Sequence, residues 1–425
     1  MVEREVIRRI IIEGQEFVNE ISLTERPFFF EQKGNYVFVG IRQAGKSYLL
    51  YQRIQQLLRE EHNINEIVYI NFDDERLRQM TADDLDLILQ AYHSLFDLRP
   101  LLFFDEIQNI EGWEHFARRL ANQKYNIYIT GSNAKMLSRE IATTLGGRFW
   151  NKDVYPYSFA EYLNARDIIL SKNWMYGKQA AEVSKAFNDY FLYGGFPELT
   201  DVIAKRVWLN DIYSKIFFSD LIVRNKVRNE EALGLLVRRL AENVKQPVSY
   251  TRLANLISSI GIKISKATVI EFIRYLKESC LIFPIENYAA KFAERNSNMK
   301  HYFIDNGLLS IFLLDGNTSL LENIVAIHLY KRYGAQLYFY NQNIEVDFII
   351  PEAKTAIQVS YSLMDETTCR REVEGLIKLN RVFPMDNMCI ITRDEERIIT
   401  HESGVSIHVI PVWKWLLVSK SDFSL

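Results

Sequence analysis

Gly40-Ile41-Arg42-Gln43-Ala44-Gly45-Lys46-Ser47 fits the spacing G-x-x-x-x-G-K-[ST], and its chemistry is the gripping of phosphate. The glycines let the backbone curl, and successive N–H groups and the start of the following helix face negative charge. Lys46 is expected to reach the β- and γ-phosphates of a nucleotide, and Ser47 brings a hydroxyl suited to Mg²⁺. The expected binding residues are therefore Gly40, Ile41, Arg42, Gln43, Ala44, Gly45, Lys46, Ser47 and the adjoining Tyr48.

A bound metal needs a carboxylate, and Leu101-Leu102-Phe103-Phe104-Asp105-Glu106 delivers one at the end of an apolar run. Asp105 is expected to hold Mg²⁺ directly or through its shell, and Glu106 to orient and partly deprotonate the attacking water. The next run ends in Thr130-Gly131-Ser132-Asn133, where a polar side chain can touch the γ-phosphate or the water. Asn133 is favoured with Ser132 close behind, and a plain turn is the alternative. Gly146-Gly147-Arg148 sets a guanidinium after a glycine pair, either to neutralise charge on the transferred phosphoryl group or simply as a surface arginine. The catalytic set read this way is Lys46, Glu106, Asn133 and Arg148, and the metal set Ser47 and Asp105.

These residues need rigid elements beneath them. Tyr36 to Val39, Ile67 to Ile70, Leu101 to Phe104 and Ile127 to Thr130 are short apolar runs that alternate with helical patterns, one carrying Leu50, Ile54, Leu57 and Leu58. Buried strands separated by helices predict a parallel sheet covered on both faces, an α/β fold. Ahead of it, Ile7, Ile10, Ile11 and Phe17 predict an amphipathic helix ended by Pro27 and the Phe28-Phe29-Phe30 run. From Phe159 to Leu240 the pattern is mostly helical and broken by Gly194-Gly195-Phe196-Pro197, which suits a lid. Val248 to Ile285 reads as helix, Gly261 turn, helix and short strand, a winged helix. Strands at Leu337 to Tyr340, Val346 to Ile350, Ala356 to Ser360 and Met388 to Thr392, around a helix near Arg371 to Leu379, predict a second, smaller α/β domain.

Size and composition agree with several folded domains. The chain has 425 residues, 48% of them apolar and 25% charged, the balance of a globular protein. A net charge of −3 gives no general reason to propose a nucleic-acid coat or a membrane-surface binder. Cys280, Cys369 and Cys389 are scattered and odd in number, which argues against disulfides and a zinc site and fits a reducing cytoplasm. No apolar run approaches the length of a spanning helix, and the charged amino terminus signals no export.

The loop at Gly40 to Ser47, with Asp105-Glu106-Ile107-Gln108, Trp113, Thr130-Gly131-Ser132, Gly147-Arg148, Ser158-Phe159, Glu161-Tyr162 and Gly194-Gly195-Phe196-Pro197-Glu198, resembles a prokaryotic AAA-type P-loop ATPase family. It is similar also to archaeal ATPases and to the STAND and origin-recognition groups. The pattern changes divide the chain into 1–30 (the amphipathic helix), 31–157, 158–240, 241–288 and 289–425, and the resemblance implies that the last four are an AAA core, a helical lid, a winged helix and a restriction-endonuclease-like domain. It also implies that Gly195-Phe196-Pro197 lies against the adenine, and it strengthens Arg148 as a catalytic or nucleotide-sensing arginine, in cis or from a neighbouring subunit of a homo-oligomer.

In the winged segment Val269, Phe272, Ile273 and Leu276 mark the core face, while Lys263, Lys266, Arg274 and Lys277 can meet DNA phosphates, diluted by Glu271 and Glu278. The alternative is that this segment only relays nucleotide state. In the last domain the nuclease type resembled needs a helix acid, a strand Asp and an acid-x-Lys. Glu322 and Asp347 match the first two, whereas Gln358 and Ser360 break the third, so metal-dependent cleavage is not expected. The leading expectation is an ATP-driven switch with an unidentified partner. An ATP-dependent nuclease and a scaffold without turnover are the competitors, and Glu106 speaks against the scaffold.

Overall fold

In the computed structural model, which describes residues 3–132, 136, 139–295 and 297–417, the chain divides into two compact units. One holds the residues up to Tyr155 with Glu278–Cys280, and the other holds Pro156–Lys277 and the chain from Leu281 onward.

In the first unit the four apolar runs are strands: β1 (Tyr36–Val39), β2 (Ile67–Asn71), β3 (Leu101–Asp105) and β4 (Ile127–Gly131). A fifth, β5 (Trp150–Asp153), is exposed along its whole length and carries no apolar pattern that would reveal it. The sheet order is β2-β3-β4-β1-β5 and every pairing is parallel. The connecting helices are α1 (Arg4–Glu20), α2 (Lys46–Arg59), α3 (Asp86–His93), α4 (Trp113–Asn122) and α5 (Arg139–Leu145). Parallel strands buried on both faces explain why β1 to β4 read as unbroken apolar runs. Ile7, Ile10 and Ile11 of α1 pack into the same core as Val68, Ile70, Ile88 and Tyr92. Helix α1 ends at Glu20, well before Pro27, because the Gln55 amide donates to the carbonyls of Val18 (3.3 Å) and Ile21 (2.8 Å) and so caps its last turn. Since all strands run the same way, the segments after β1, β3 and β4 emerge at one end of the sheet, where open α/β folds hold ligands.

The second unit begins with α6 (Phe159–Ala165), α7 (Lys178–Tyr193), α8 (Lys205–Lys215), a π-helical stretch at Ile216–Val223, and α9 (Glu230–Glu242). There follow β6 (Val248–Ser249), α10 (Tyr250–Ser258), α11 (Lys266–Glu278), β7 (Ile282–Asn287), α12 (Phe292–Arg295) and β8 (Asn298–Phe303). The chain closes with α13 (Asn306–Ser310), α14 (Asn317–Tyr333), β9 (Tyr338–Asn341), β10 (Glu345–Ile350), β11 (Thr355–Val359), α15 (Glu366–Val382), β12 (Asn387–Thr392), β13 (Arg397–Thr400), β14 (Ser406–Pro411) and α16 (Val412–Trp415).

A nine-stranded sheet, β13-β14-β12-β11-β10-β9-β7-β8-β6, runs through the second unit. The expected edge at 288/289 falls inside the antiparallel pair β7–β8, and β7 pairs in parallel with β9. The segment expected as a winged helix therefore shares its sheet with the last domain, because Glu286 and Asn287 continue the β7 ladder onto Tyr338 and Phe339.

Helix α7 and the segments beside it are fastened to that sheet. Asp305 accepts from Gly307 N (2.8 Å) and Leu308 N with one oxygen and from Gly195 N (2.8 Å) with the other. A Cβ at Gly195 would lie 2.2 Å from the Tyr157 carbonyl oxygen, so the close approach at this turn requires glycine. Asn306 donates to Phe191 O, Lys331 to Pro156 O, and the Arg393 guanidinium lies over the rings of Phe187 and Phe191. Replacing Asp305 by Asn keeps one acceptor and turns an amide NH₂ toward an N–H, so denaturant unfolding should show a loss of roughly 2–4 kcal/mol. Asp305→Asn with unchanged stability would show that the turn holds without the carboxylate.

Candidate nucleotide site

The loop between β1 and α2 is built around two backbone constraints. Gly40 sits so close to the chain after β5 that a Cβ there would lie 2.0 Å from Val154 O. Gln43 and Gly45 take left-handed conformations, φ 61° and 89°, which fold the loop back before Lys46 opens α2. Arg26, which the sequence did not bring to notice, donates to Ala44 O (3.2 Å) and Tyr155 O (3.1 Å) and ties the loop to the segment after β5. Its own backbone is held by Gln52, through Arg26 N to Gln52 Oε1 and Gln52 Nε2 to Arg26 O, both 2.9 Å.

Lys46 is buried; its Nζ donates to Gly40 O (3.2 Å) and Ile41 O (3.1 Å) and stands 3.6 Å from Glu106 Oε1. Tyr48 is half exposed, with its ring edge against Tyr51.

Asp105 ends β3 fully buried, its oxygens accepting from the Thr130 hydroxyl and from Tyr69 OH (2.8 Å). Ser47 also bonds this carboxylate, so the two expected metal ligands are in contact. Burial, and then the charge of Glu106, hold the Asp105 pKa above the usual carboxylate range, the condition of an acid that gains from a nearby cation. Tyr51 bonds Tyr69 behind it (2.8 Å), giving a hydroxyl relay that fixes the Asp105 rotamer. Tyr69 lies in the middle of an ordinary apolar strand, and no motif marks it.

Glu106 adopts φ 53°, a strained conformation for a residue with a side chain. Its N–H donates to Thr130 Oγ1 (2.9 Å), and its carboxylate receives Gln108 Nε2 (2.5 Å). Burial works to raise its pKa, but Lys46, Gln108, Ser132 and Arg42 together outweigh that and hold the carboxyl below its ordinary value. Gln108 also donates to Ser132 Oγ (3.3 Å), a further link between the ends of β3 and β4 beside those made by Thr130. Asn133 lies outside the described residues.

Arg148 is placed elsewhere. Tyr36 is paired with Trp150 and Val39 with Asp153, so Arg148 stands beyond the amino end of β1 while the loop leaves its carboxyl end. Four strand residues separate the two, about 13 Å of backbone. Arg148 is exposed and donates to Gly146 O (3.0 Å). It is not a cis contributor to the phosphate loop of its own chain, since a strand's length intervenes. Pro197 belongs to the second unit, where it opens a short 3₁₀ turn after the buried Phe196.

In the second unit Lys263, Lys266, Arg274 and Lys277 are all exposed, and Val269, Phe272, Ile273 and Leu276 form the buried face of α11. Glu271 stands 3.8 Å from Arg274 and accepts from Tyr275 OH (2.6 Å). Glu322 of α14 and Asp347 of β10 do meet, with Lys300 of β8 between them. Among the described residues no helix is long and apolar enough to cross a membrane.

A parallel sheet ordered β2-β3-β4-β1-β5, with a phosphate loop after β1 and paired acids after β3, defines a P-loop ATPase of the AAA type. Residues 32–163 match the model of an AAA domain, and residues 184–319 match a domain of unknown function (DUF8612). An uncharacterized protein of Methanocaldococcus jannaschii is 32% identical, with 98% of this chain and 96% of that protein covered. One of Haemophilus influenzae is 30% identical over 81% of this chain and 86% of its own length. The chain belongs to this prokaryotic family of AAA-type P-loop ATPases. Among solved structures, a Walker-type ATPase of Pyrococcus abyssi is 14% identical with a TM-score of 0.41, covering 73% of this chain and 96% of that one. The ORC1 protein of Aeropyrum pernix in complex with DNA is also 14% identical, with a TM-score of 0.28 and coverage of 73% and 91%.

Proposed function

We propose that the chain binds ATP with Mg²⁺ at the loop Gly40 to Tyr48 and hydrolyses it. The observation that carries this is the convergence of Lys46, Ser47, Asp105 and Glu106 at one end of the sheet, with Ser47 on Asp105 and Lys46 3.6 Å from Glu106. The donor set fits a hard cation: a hydroxyl and a buried carboxylate, both oxygen. Ser47 and Asp105 would hold Mg²⁺, which would supply charge neutralisation to the transferred phosphoryl group. Lys46 reaches the β- and γ-phosphates, and Tyr69 and Thr130 keep Asp105 aimed at the metal position. Glu106 accepts a hydrogen bond from the attacking water and draws its proton, while Gln108 and Ser132 hold that carboxylate in place. Asn133, next to Ser132, is assigned to the γ-phosphate or the water. The assignment of Gly195-Phe196-Pro197 to adenine rests on family resemblance.

Turnover drives a conformational switch in this reading, in a reducing cytoplasm, with the basic face of α11 offering a DNA-phosphate contact from a winged helix. The test is Mg²⁺-dependent phosphate release by the purified chain, alone and with single- or double-stranded DNA. No release above a Lys46→Ala control under any of these conditions overturns the hydrolytic reading.

Arg148 is assigned to a neighbouring copy's phosphates, because its own loop is at the other end of β1. Arg148→Ala should lower hydrolysis by at least about tenfold while leaving ATP affinity near wild type. Mixing Arg148→Ala with Lys46→Ala protein should restore part of the activity, since each supplies what the other lacks. Equal losses of binding and turnover, with no gain on mixing, would mark Arg148 as structural.

A further inference from the structure

An open cleft of about 670 Å³ lies on the second unit's sheet, with Glu322, Glu345, Asp347, Gln358, Ser360 and Glu372 among its walls. Two carboxylates on adjoining walls, one buried on a helix and one on a strand, are a donor set a divalent ion would take. A restriction-like fold would lead one to look for a metal here, and the residues present do not fit one.

Lys300, fully buried on β8, puts its Nζ 3.2 Å from Glu322 Oε1 and 3.2 Å from Asp347 Oδ1, with Glu345 Oε1 at 4.0 Å. Burial alone would depress its pKa, but Glu322, Asp347 and Glu345 outweigh burial and keep the amine firmly charged. Other donors take part of the remaining capacity of these carboxylates. Tyr302 OH donates to Glu322 Oε1 (2.7 Å), and Val359 N donates to Asp347 Oδ2 (2.9 Å). Gln358 cannot serve as a third acid: its oxygen accepts Asp347 N (2.8 Å) and its amide donates to Glu345 O (3.2 Å), a pairing of acceptor and donor that no carboxylate can make. Ser360 Oγ donates to Ser362 O.

We infer that Lys300 is the resident cation of this cleft, an ammonium held where a divalent ion would bind, so that the Glu322–Asp347 pair is closed to metal and does not cut phosphodiesters. With no solvent exposure and its charge satisfied by the two carboxylates, Lys300 has no means of touching a substrate in the cleft. It differs in this from a catalytic lysine, which must present its amine to the reacting group.

The experiment is Mn²⁺ binding to the full chain without nucleotide, followed by electron paramagnetic resonance and by melting temperature. Lys300→Met is the informative variant, because methionine keeps the packed stem and is one atom shorter, freeing the Nζ position. Ser47→Ala in every arm silences the phosphate-loop hydroxyl. The chain with Lys300 intact should show no Mn²⁺ uptake that Asp347→Asn removes. Lys300→Met should bind about one Mn²⁺ per chain at least roughly tenfold more tightly, gain melting temperature from it, and lose both on adding Asp347→Asn. Uptake with Lys300 intact that depends on Asp347 overturns the inference, and so does a folded Lys300→Met chain that ignores Mn²⁺. Should Lys300→Met fail to fold, the arms that retain Lys300 still decide: Asp347-dependent uptake refutes, and its absence supports. Plasmid DNA incubated with the wild-type chain and Mn²⁺ should stay intact, and cleavage lost in Asp347→Ala would likewise refute it.

Discussion

Lys46→Ala should weaken ATP binding by at least roughly a hundredfold, the scale expected when charge-assisted hydrogen bonds to phosphate are removed. The ammonium is already placed among the loop carbonyls of Gly40 and Ile41, so it is pre-positioned for anionic oxygens rather than recruited from solvent. The fold should survive. The two carbonyls belong to buried residues and each loses one hydrogen bond, a modest cost, whereas the core beneath rests on Val37, Val39, Leu102 and Ile129, which the substitution does not touch. Leaving Glu106 without its cation costs about 1–3 kcal/mol, well inside the stability of an ordinary domain. Calorimetric titration with ATP, alongside circular dichroism, reads both quantities. Near-normal affinity in a folded variant would remove the loop from the nucleotide site.

Glu106→Gln should keep ATP bound and slow its hydrolysis by at least about a hundredfold, the usual yield of acid–base assistance. The side chain is set for this role by three features: a backbone at φ 53°, an N–H fixed on Thr130, and a carboxylate placed between Lys46 and Gln108. Glutamine preserves the shape and one acceptor oxygen but cannot take a proton. Because the Glu106 pKa is held below its ordinary value, the carboxylate stays ionised through neutral and mildly acid pH. The acid limb of wild-type turnover due to this group should therefore fall at a pH below that of a free glutamate, and in Glu106→Gln that limb should vanish from the residual rate. Turnover near wild type in the variant would pass the role to Gln108 or Ser132.

The phosphate loop was readable because its function is encoded in consecutive residues, and β1 to β4 because both faces of each strand are buried. β5 was not, since an edge strand reading Trp-Asn-Lys-Asp has neither alternation nor an apolar run, and Arg148 could be assigned to an end of the sheet only once β5 was known to lie beside β1. Tyr69, Arg26 and Gln108 act on the site by reaching across from other segments, a relation that local spacing does not record. Lys300 escaped notice for a related reason: it follows Asn298 and Met299 as an ordinary polar strand residue, and its 22- and 47-residue separations from Glu322 and Asp347 show no period. The boundary expected at 288/289 lies where the helix-turn-helix pattern gives way to the strands of the last domain. In three dimensions the chain turns there within a hairpin.

The grip of Asp305 on Gly195, with Arg393 lying over Phe187 and Phe191, means that α7 and its turn cannot be excised from the sheet that follows. An expression fragment ending near residue 288 would lose the carboxylate that holds the Gly195 turn, the asparagine on Phe191 O and the guanidinium that shields two phenyl rings. Its α7 would present bare aromatic surface to water, and the natural fate of such a fragment is aggregation. Anyone seeking a minimal ATPase should shorten the gene elsewhere, and a nonsense or frameshift lesion between codons 288 and 305, which removes Asp305, Asn306 and Arg393 together, should behave genetically like loss of the whole protein.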